Sequence, residues 1–359
     1  MMYNAERLLD YVKSKYNTDE FCCLLEQYEK WSGERPFEGL RLLDGSPLFQ
    51  NTLAKIAPLA ASGAEVVIGL HSACPYDSRV AEMLDAAGFE IQFDVLSGGE
   101  FDLVLDCAGV YHGHKPRLGY SELTRSGEKY YEKSSPACFS ADRSIIKYFE
   151  DYLGTADGLI RALEKLNLSP AGRKVLQFGC GKVGAGIRER LMELGAEVVV
   201  VEDAARFAGG FSVIDCRDER AVYEALESAW AVVTVTGGRD IISRFYDAGR
   251  FVRSGALLIN MGAEDEYGAD VPARRVLNSK APLNFLLPEP TLLRYIDATL
   301  ALHNEAIGFF ANATGGSGII TPPAEIEGRL IETTLEKNVA KERIAAFLKS
   351  VGYMMEDAK

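Results

Sequence analysis

The sequence predicts an α/β protein built of two Rossmann-like domains with a cleft between them. Three observations lead there. Residues 173–203 run strand, glycine turn, helix, strand and acid, the order of a βαβ unit with a purpose-built turn. Residues 65–105 read as strand, helix, strand, strand, the start of another Rossmann-like domain. The length of 359 residues suits two domains.

The stretch 173–203, RKVLQFGCGKVGAGIRERLMELGAEVVVVED, is the most specific. Residues 174–178 form a short apolar strand, and Gly179-Cys180-Gly181-Lys182-Val183-Gly184 is a G-x-G-x-x-G turn. Ile187, Leu191 and Leu194 stand at helical spacing before Gly195, and residues 198–201 make a second strand ending in Glu202-Asp203. In such a unit the first glycine permits the tight turn. The second lets backbone approach a pyrophosphate, and the third lets helix and strand pack closely. The helix start adds free N–H groups and a partial positive charge. Glu202, 18 residues past Gly184, stands where an acid takes ribose hydroxyls and repels a 2′-phosphate. NAD is therefore expected in preference to NADP, held by Gly179, Gly181, Lys182, Val183, Gly184 and Glu202. The competing reading is a βαβ unit whose glycines serve packing alone.

Composition narrows the partners. A 47% hydrophobic, 25% charged chain is ordinary for a globular protein. A net charge of −13, with no Lys/Arg run longer than a pair, argues against nucleic acid and anionic membrane surfaces. No apolar run is long enough to span a bilayer, and the N-terminal MMYNAERLLDYVKSKY reads as a charged amphipathic helix and not a signal peptide. Seven cysteines, odd in number and without C-x-x-C, fit reduced thiols and a cytoplasmic location. The expected partner is a small-molecule substrate.

Residues 3–31 read as helical, 33–45 as loop, 49–61 as helix, 65–70 as strand, 79–87 as helix, and 90–93 and 103–105 as strands. The polar stretch 111–140 lacks periodicity and is too long for an ordinary connection. Residues 142–166 are helical with a break near Gly154. Beyond 203 the expected elements are strands 212–215, 231–236 and 256–260 and helices 219–228 and 242–251. Pro282 to Pro290 marks a crossing between domains. Residues 295–311 form a helix returning to the first domain, and NATGGSG (312–318) is a loop.

Several pieces together resemble the S-adenosylhomocysteine hydrolase family over most of the chain. GCGKVGAG (179–186) sits where that family has its glycine turn, with Glu202 at the ribose position. SELTRSG (121–127) is similar to the family's Ser-Glu-Glu-Thr-Thr-Thr-Gly, which implies that Thr124 and Ser126 contact NAD or substrate. VTVTGGRDII (233–242) and Asn260-Met261-Gly262 resemble the family's second cofactor turn and its Asn-Ile-Gly, implicating Thr236, Gly237, Asn260 and Gly262. FEDYLG (149–154) resembles the hinge helix, which places Glu150 and Asp151 at the site. Lys349 and Tyr353 have the spacing of the family's C-terminal Lys and Tyr, which reach the NAD of a neighbouring subunit. The resemblance thus implies a homodimer or homotetramer. It also implies a substrate domain (1–152), an inserted NAD domain (153–290) and a completing segment with the tail (291–359).

The substrate side departs from the family. Cys107 stands at its catalytic aspartate, although Asp106 is kept, and Leu123 replaces a glutamate. Ile146 stands at the hinge lysine, with Lys147 one residue on, a rotation of about 100° around a helix. Ala263 replaces a histidine, another falls near Pro47, and Pro288-Glu289-Pro290-Thr291 replaces the Gly-His-Pro closure. So many changes imply that the cofactor is retained and the substrate altered.

Oxidising an alcohol requires a base near the hydroxyl. Lys147, Glu150, His112 and His114 are the candidates. Lys147, Glu150 and Asp151 share helical spacing, which also suits a surface ion-pair cluster. His112 and His114 follow the strand end at Asp106-Cys107, where α/β proteins place ligands. They offer an acid–base group, a metal-ligand pattern or a polar loop, and no metal is assigned. The expected function is an NAD-dependent oxidation, net or transient, of a secondary alcohol on a small polyol or nucleoside-like molecule. The alternatives are a non-catalytic NAD- or nucleoside-binding regulator and an S-adenosylhomocysteine hydrolase with relocated catalytic groups.

Overall fold

The computed structural model describes residues 5–207, 210–312 and 316–353. Twelve strands are present among them: β1 (Arg41–Asp44), β2 (Glu65–Leu70), β3 (Glu90–Phe93), β4 (Leu103–Asp106), β5 (Gly119–Glu122), β6 (Cys138–Ser140), β7 (Lys174–Phe178), β8 (Glu197–Glu202), β9 (Ile214–Asp215), β10 (Ala231–Thr234), β11 (Leu257–Asn260) and β12 (Ile319–Ile320). The chain divides into two compact units, Met1–Phe149 with Leu292–Lys359, and Glu150–Thr291. Each carries one wholly parallel sheet.

In the second unit the strand order is β11-β10-β7-β8-β9. The chain builds outward from β7 through β8 to β9, then returns to lay down β10 and β11 on the other side. The reversal falls between β7 and β10, and ligands of such sheets bind outside the carboxyl ends at that point. Alternation along the strands sorts the core. Leu176, Phe178, Val232 and Leu258 join one apolar cluster, and Val175, Ala231, Val233 and Ile259 join another. Both faces are covered, so these strands read as nearly continuous apolar runs.

The first unit has the order β12-β6-β5-β4-β1-β2-β3, with its reversal between β1 and β4. Every residue of the helix Leu53–Ala61 is buried, including Lys55. An all-round apolar helix belongs in an interior. The helix Leu293–Asn312 packs against β4 and β5.

Several boundaries differ from the sequence reading. The loop expected at 33–45 contains β1, which has only Leu42 and Leu43 between two charged ends. The unpatterned stretch 111–140 holds β5 and β6, whose Ser121, Glu122 and Ser140 are fully buried polar residues. The N-terminal helix is two, Ala5–Lys13 and Cys22–Glu34, and residues 3 and 4 lie outside the described residues. The helix at 242–251 is also two, because Asp247 leaves helical geometry and caps Ala248–Arg253 by accepting the Gly249 N–H at 2.9 Å. The break at Gly154 is a six-residue π-helix, Phe149–Gly154, leading into Thr155–Lys165. Residues 313–315 of the expected NATGGSG loop lie outside the described residues. Among the described residues no helix is long and apolar enough to cross a membrane, and all seven cysteines are free thiols.

Candidate functional site: a dinucleotide cradle and a buried polar cluster

At the carboxyl end of β7 the three glycines do different work. Gly179 has φ +95°, and a Cβ there would meet the Val235 carbonyl oxygen at 2.5 Å. A Cβ on Gly184 would meet the Gly179 carbonyl at 2.5 Å, so helix and strand close only over glycine. Gly181 differs: nothing lies within 4 Å of its Cβ position. It is the N-cap of the helix Lys182–Glu193 and lends that helix no side-chain acceptor. The result is open space over a helix start, the arrangement that receives a diphosphate. Gln177, fully buried, stitches the turn by donating its Nε2 hydrogens to the Gly179 and Gly184 carbonyls at 2.8 Å each. No motif marks it, because a glutamine inside a strand has no pattern of its own.

Glu202 ends β8. Its carboxylate accepts the Cys180 N–H at 2.8 Å and the Asp203 N–H at 2.9 Å, which binds it to the glycine turn. Asp203 turns aside to Arg217 (2.8 Å) and Arg206 (3.4 Å). The Arg217 hydrogen bond foremost holds its carboxyl below the usual range. Lys182 stands 3.6 Å from Asp151, Val183 joins the apolar cluster beneath, and Tyr152 bonds Glu189.

The expected contacts on β10 and β11 need correction. Thr236 and Gly237 are exposed, but their N–H groups do not face outward: both donate to Glu266, as does the Thr236 hydroxyl. Asn260 is fully buried and saturated. Its Nδ2 donates to the carbonyls of Gly262, Glu264 and Lys280, and its Oδ1 accepts from Thr234 and Gly262. Asn260 therefore shapes the turn and leaves no amide for a ligand.

At the reversal of the first unit the strand ends carry buried acids. Asp44 ends β1 and pairs with Lys55 at 2.7 Å, with side-chain exposures of 2% and 0%. Burial alone would raise the pKa of Asp44, but the Lys55 charge and hydrogen bond hold it below the ordinary value. Around this pair stand His303, Lys147 and Cys107, all buried. Asp106 ends β4 and accepts from Cys107 N, Tyr111 N and the Tyr131 hydroxyl. Burial, then Glu122, pushes its pKa well up. Glu122 repeats the Glu266 device by accepting Ala108 N, Gly109 N and both Thr124 N and Oγ. Thr124 is thus committed to the fold, with exposed Ser126 3.1 Å from its hydroxyl. Ser46 Oγ, Tyr111 Oη and His303 Nδ1 are buried here without a hydrogen-bond partner. Sequence reading missed Asp44, Lys55 and Glu266. Only Lys55, a lone lysine in LAKIAPLAA, carried a signal.

The two histidines separate. His114 is 1% exposed, and its ring nitrogens face the carbonyls of Gly98 (2.6 Å) and Val95 (2.8 Å), so it holds a loop and has no nitrogen for acid–base work. His112 is exposed, stacks on Tyr130 at 4.5 Å and bonds the Gly109 carbonyl through Nδ1. Lys147 is 2% exposed, not a surface residue, and Glu150 is the second residue of the π-helix. Lys349 is exposed on the helix Lys341–Ser350, with Tyr353 half-buried beyond it. Cys22, Cys23 and Asp297 converge, but Asp297 accepts the Cys23 and Leu24 N–H groups at 2.9 and 3.0 Å and so caps the helix Cys22–Glu34.

His303 makes a pH prediction. Its Nε2 donates to the Ser121 carbonyl at 2.9 Å, and burial, then the Lys55 charge, lowers its pKa to about 3. The unfolded chain takes up a proton near the ordinary value of about 6.5 while the native state does not. Stability is therefore full above that value and falls as pH drops from 6.5 toward 3, by at most about 1.4 kcal/mol per unit. His303→Gln should flatten this slope in urea melts at a series of pH values. An unchanged slope refutes it.

Residues 166–269 match a family described as NAD(P)-binding. The adenosylhomocysteinase of Sulfolobus acidocaldarius is 26% identical over 67% of this chain and 64% of its own length. That of Archaeoglobus fulgidus is 29% identical over 69% of this chain and 67% of its own length. The S-inosyl-L-homocysteine hydrolase of Methanosarcina mazei is 28% identical over 65% of this chain and 64% of its own length. The first and last of these are thus matched over less than two thirds of their length. With the cradle of its second unit, the chain is an NAD-binding protein that is similar to the adenosylhomocysteinases over about two thirds of its length.

Proposed function

We propose that the chain is an NAD-dependent enzyme that oxidises, in a net or a transient step, a secondary alcohol of a small nucleoside-like or polyol substrate. The observation that carries this reading is the open glycine turn at the carboxyl end of β7 in the second unit, taken together with the buried polar cluster of the first. NAD, when bound, supplies a hydride acceptor. The open face of Gly181 and the start of the helix Lys182–Glu193 would hold its diphosphate, and Glu202 its ribose hydroxyls. Lys182, Val183 and Asp151 flank that position, and Thr236, Gly237 and Gly262 shape the far side.

The alcohol must lose a proton, and Lys147 and Glu150 are assigned to take it. His112 is the remaining acid–base group, through Nε2, since its Nδ1 is bonded to the Gly109 carbonyl. In the first unit Ser46, Tyr111 and His303 offer unmatched hydrogen-bonding atoms around a neutralised Asp44–Lys55 pair, suited to uncharged hydroxyls. Relatives named for nucleoside thioethers favour a nucleoside-like substrate. Cys107, Leu123, Ile146 and Ala263, at positions where that family keeps catalytic groups, argue against hydrolysis of adenosylhomocysteine itself. Lys349 and Tyr353 are assigned to the cofactor of a second copy, in a homodimer or homotetramer.

Mass spectrometry of small molecules released from the denatured protein should find NAD. Nucleosides and polyols should then include one that yields NADH or is dehydrogenated transiently. A protein without bound NAD and without an NAD-induced thermal shift sinks the proposal. Adenosine release from S-adenosylhomocysteine replaces it with a hydrolase.

A further inference from the structure

Glu266 lies outside every motif of the sequence. It is fully buried, and its carboxylate accepts the Thr236 N–H at 2.8 Å, the Thr236 hydroxyl at 2.9 Å and the Gly237 N–H at 2.7 Å. A Cβ on Gly262 would strike its Oε1. One carboxylate thus ties the exit of β10 to the exit of β11.

The hydrogen bonds it accepts oppose the effect of burial, and no cation offsets the carboxylate among the described residues. All three neighbours are donors, which favours the carboxylate over the acid, although burial raises its pKa. Glu122 has the same donors in the first unit but lies against Asp106, so its charge is shared with a second acid. Glu266 has no such neighbour. A lone anion in a buried setting acts over longer range than one in water.

Its place gives that charge a target. A dinucleotide spans the reversal of such a sheet, with one mononucleotide on each half. Glu202 marks the half built on β7 and β8 as the adenylate side, so β10 and β11 underlie the nicotinamide side. The oxidised nicotinamide ring carries a positive charge and the reduced ring none. We infer that Glu266 sets the redox preference of the bound cofactor, favouring NAD+ over NADH, besides holding the Thr236–Gly237 turn. The inference rests on the NAD assignment. For a transient oxidation it means that the resting protein holds the form able to accept a hydride.

Calorimetric Kd values for NAD+ and NADH, at one pH and salt, test it. The wild type should bind NAD+ more tightly than NADH, and Glu266→Gln should lower the ratio Kd(NADH)/Kd(NAD+) about tenfold, mainly by weakening NAD+. Thr236→Val removes one donor but keeps the charge, so its ratio should stay within about twofold of wild type. Equal weakening of both forms by Glu266→Gln, or no change, overturns the inference. So does a wild type that prefers NADH, a measurement that requires no variant to fold. A wild type that binds neither dinucleotide overturns the cofactor assignment along with it.

Discussion

Replacing Lys55 with methionine is expected to destabilise the first unit by about 3–5 kcal/mol, the usual effect of leaving a buried charge without its partner. The Lys55–Asp44 contact is 2.7 Å long and essentially closed to solvent. Methionine fills most of the lysine volume, so the packing loss is small and the loss that dominates is electrostatic. Asp44 would keep the Ser46 N–H at 3.0 Å but lose the cation paired with it. Asp44→Asn combined with Lys55→Met should recover most of the stability, because an uncharged pair of the same shape leaves no stranded ion. The measurement has a convenient reporter. Trp31 lies in the first unit and Trp230 in the second, and there are no other tryptophans. In a Trp230→Phe background, urea unfolding followed by Trp31 fluorescence reads the first unit alone. A loss below about 1 kcal/mol would mean that water, not Lys55, solvates Asp44.

That ion pair also marks where sequence reading stopped. The cofactor cradle was legible because its chemistry is local. Strand, glycines, helix and acid lie within 31 residues, 173–203, and each glycine answers a constraint on neighbouring backbone. The buried polar cluster of the first unit was not legible, because its members come from separate elements of the chain. Asp44 ends a strand too short to show alternation, Lys55 hides in an apolar helix, Glu122 ends a strand of polar letters, and His303 arrives from the helix Leu293–Asn312. Periodicity assigns polar letters to solvent, so strands whose polar ends are buried for a purpose read as loops. Glu266 failed differently. In the acidic run AEDE it looks like solvated surface, and only the donors beneath the β10 turn set it apart.

Gly181→Val should abolish useful NAD binding, with a Kd rise of at least about 100-fold, while moving the stability of the free protein by only about 1 kcal/mol. Gly181 has φ −71° and ψ −162°, which any L-residue adopts, and its Cβ position is clear of protein for 4 Å. The fold therefore tolerates the side chain apart from a poorer helix cap. What it fills is the space over the start of the helix Lys182–Glu193 that a diphosphate must enter. Gly179→Ala provides the contrast. At φ +95°, with the Val235 carbonyl 2.5 Å away, it should destabilise the second unit by about 1–3 kcal/mol even with no ligand present. Thermal melts with and without NAD, beside calorimetric titration, separate the two variants. A Gly181→Val protein that binds NAD as wild type does would show that the diphosphate does not lie over this turn. A Gly181→Val protein that melts as wild type does, and no longer shifts with NAD, would locate the diphosphate on that turn.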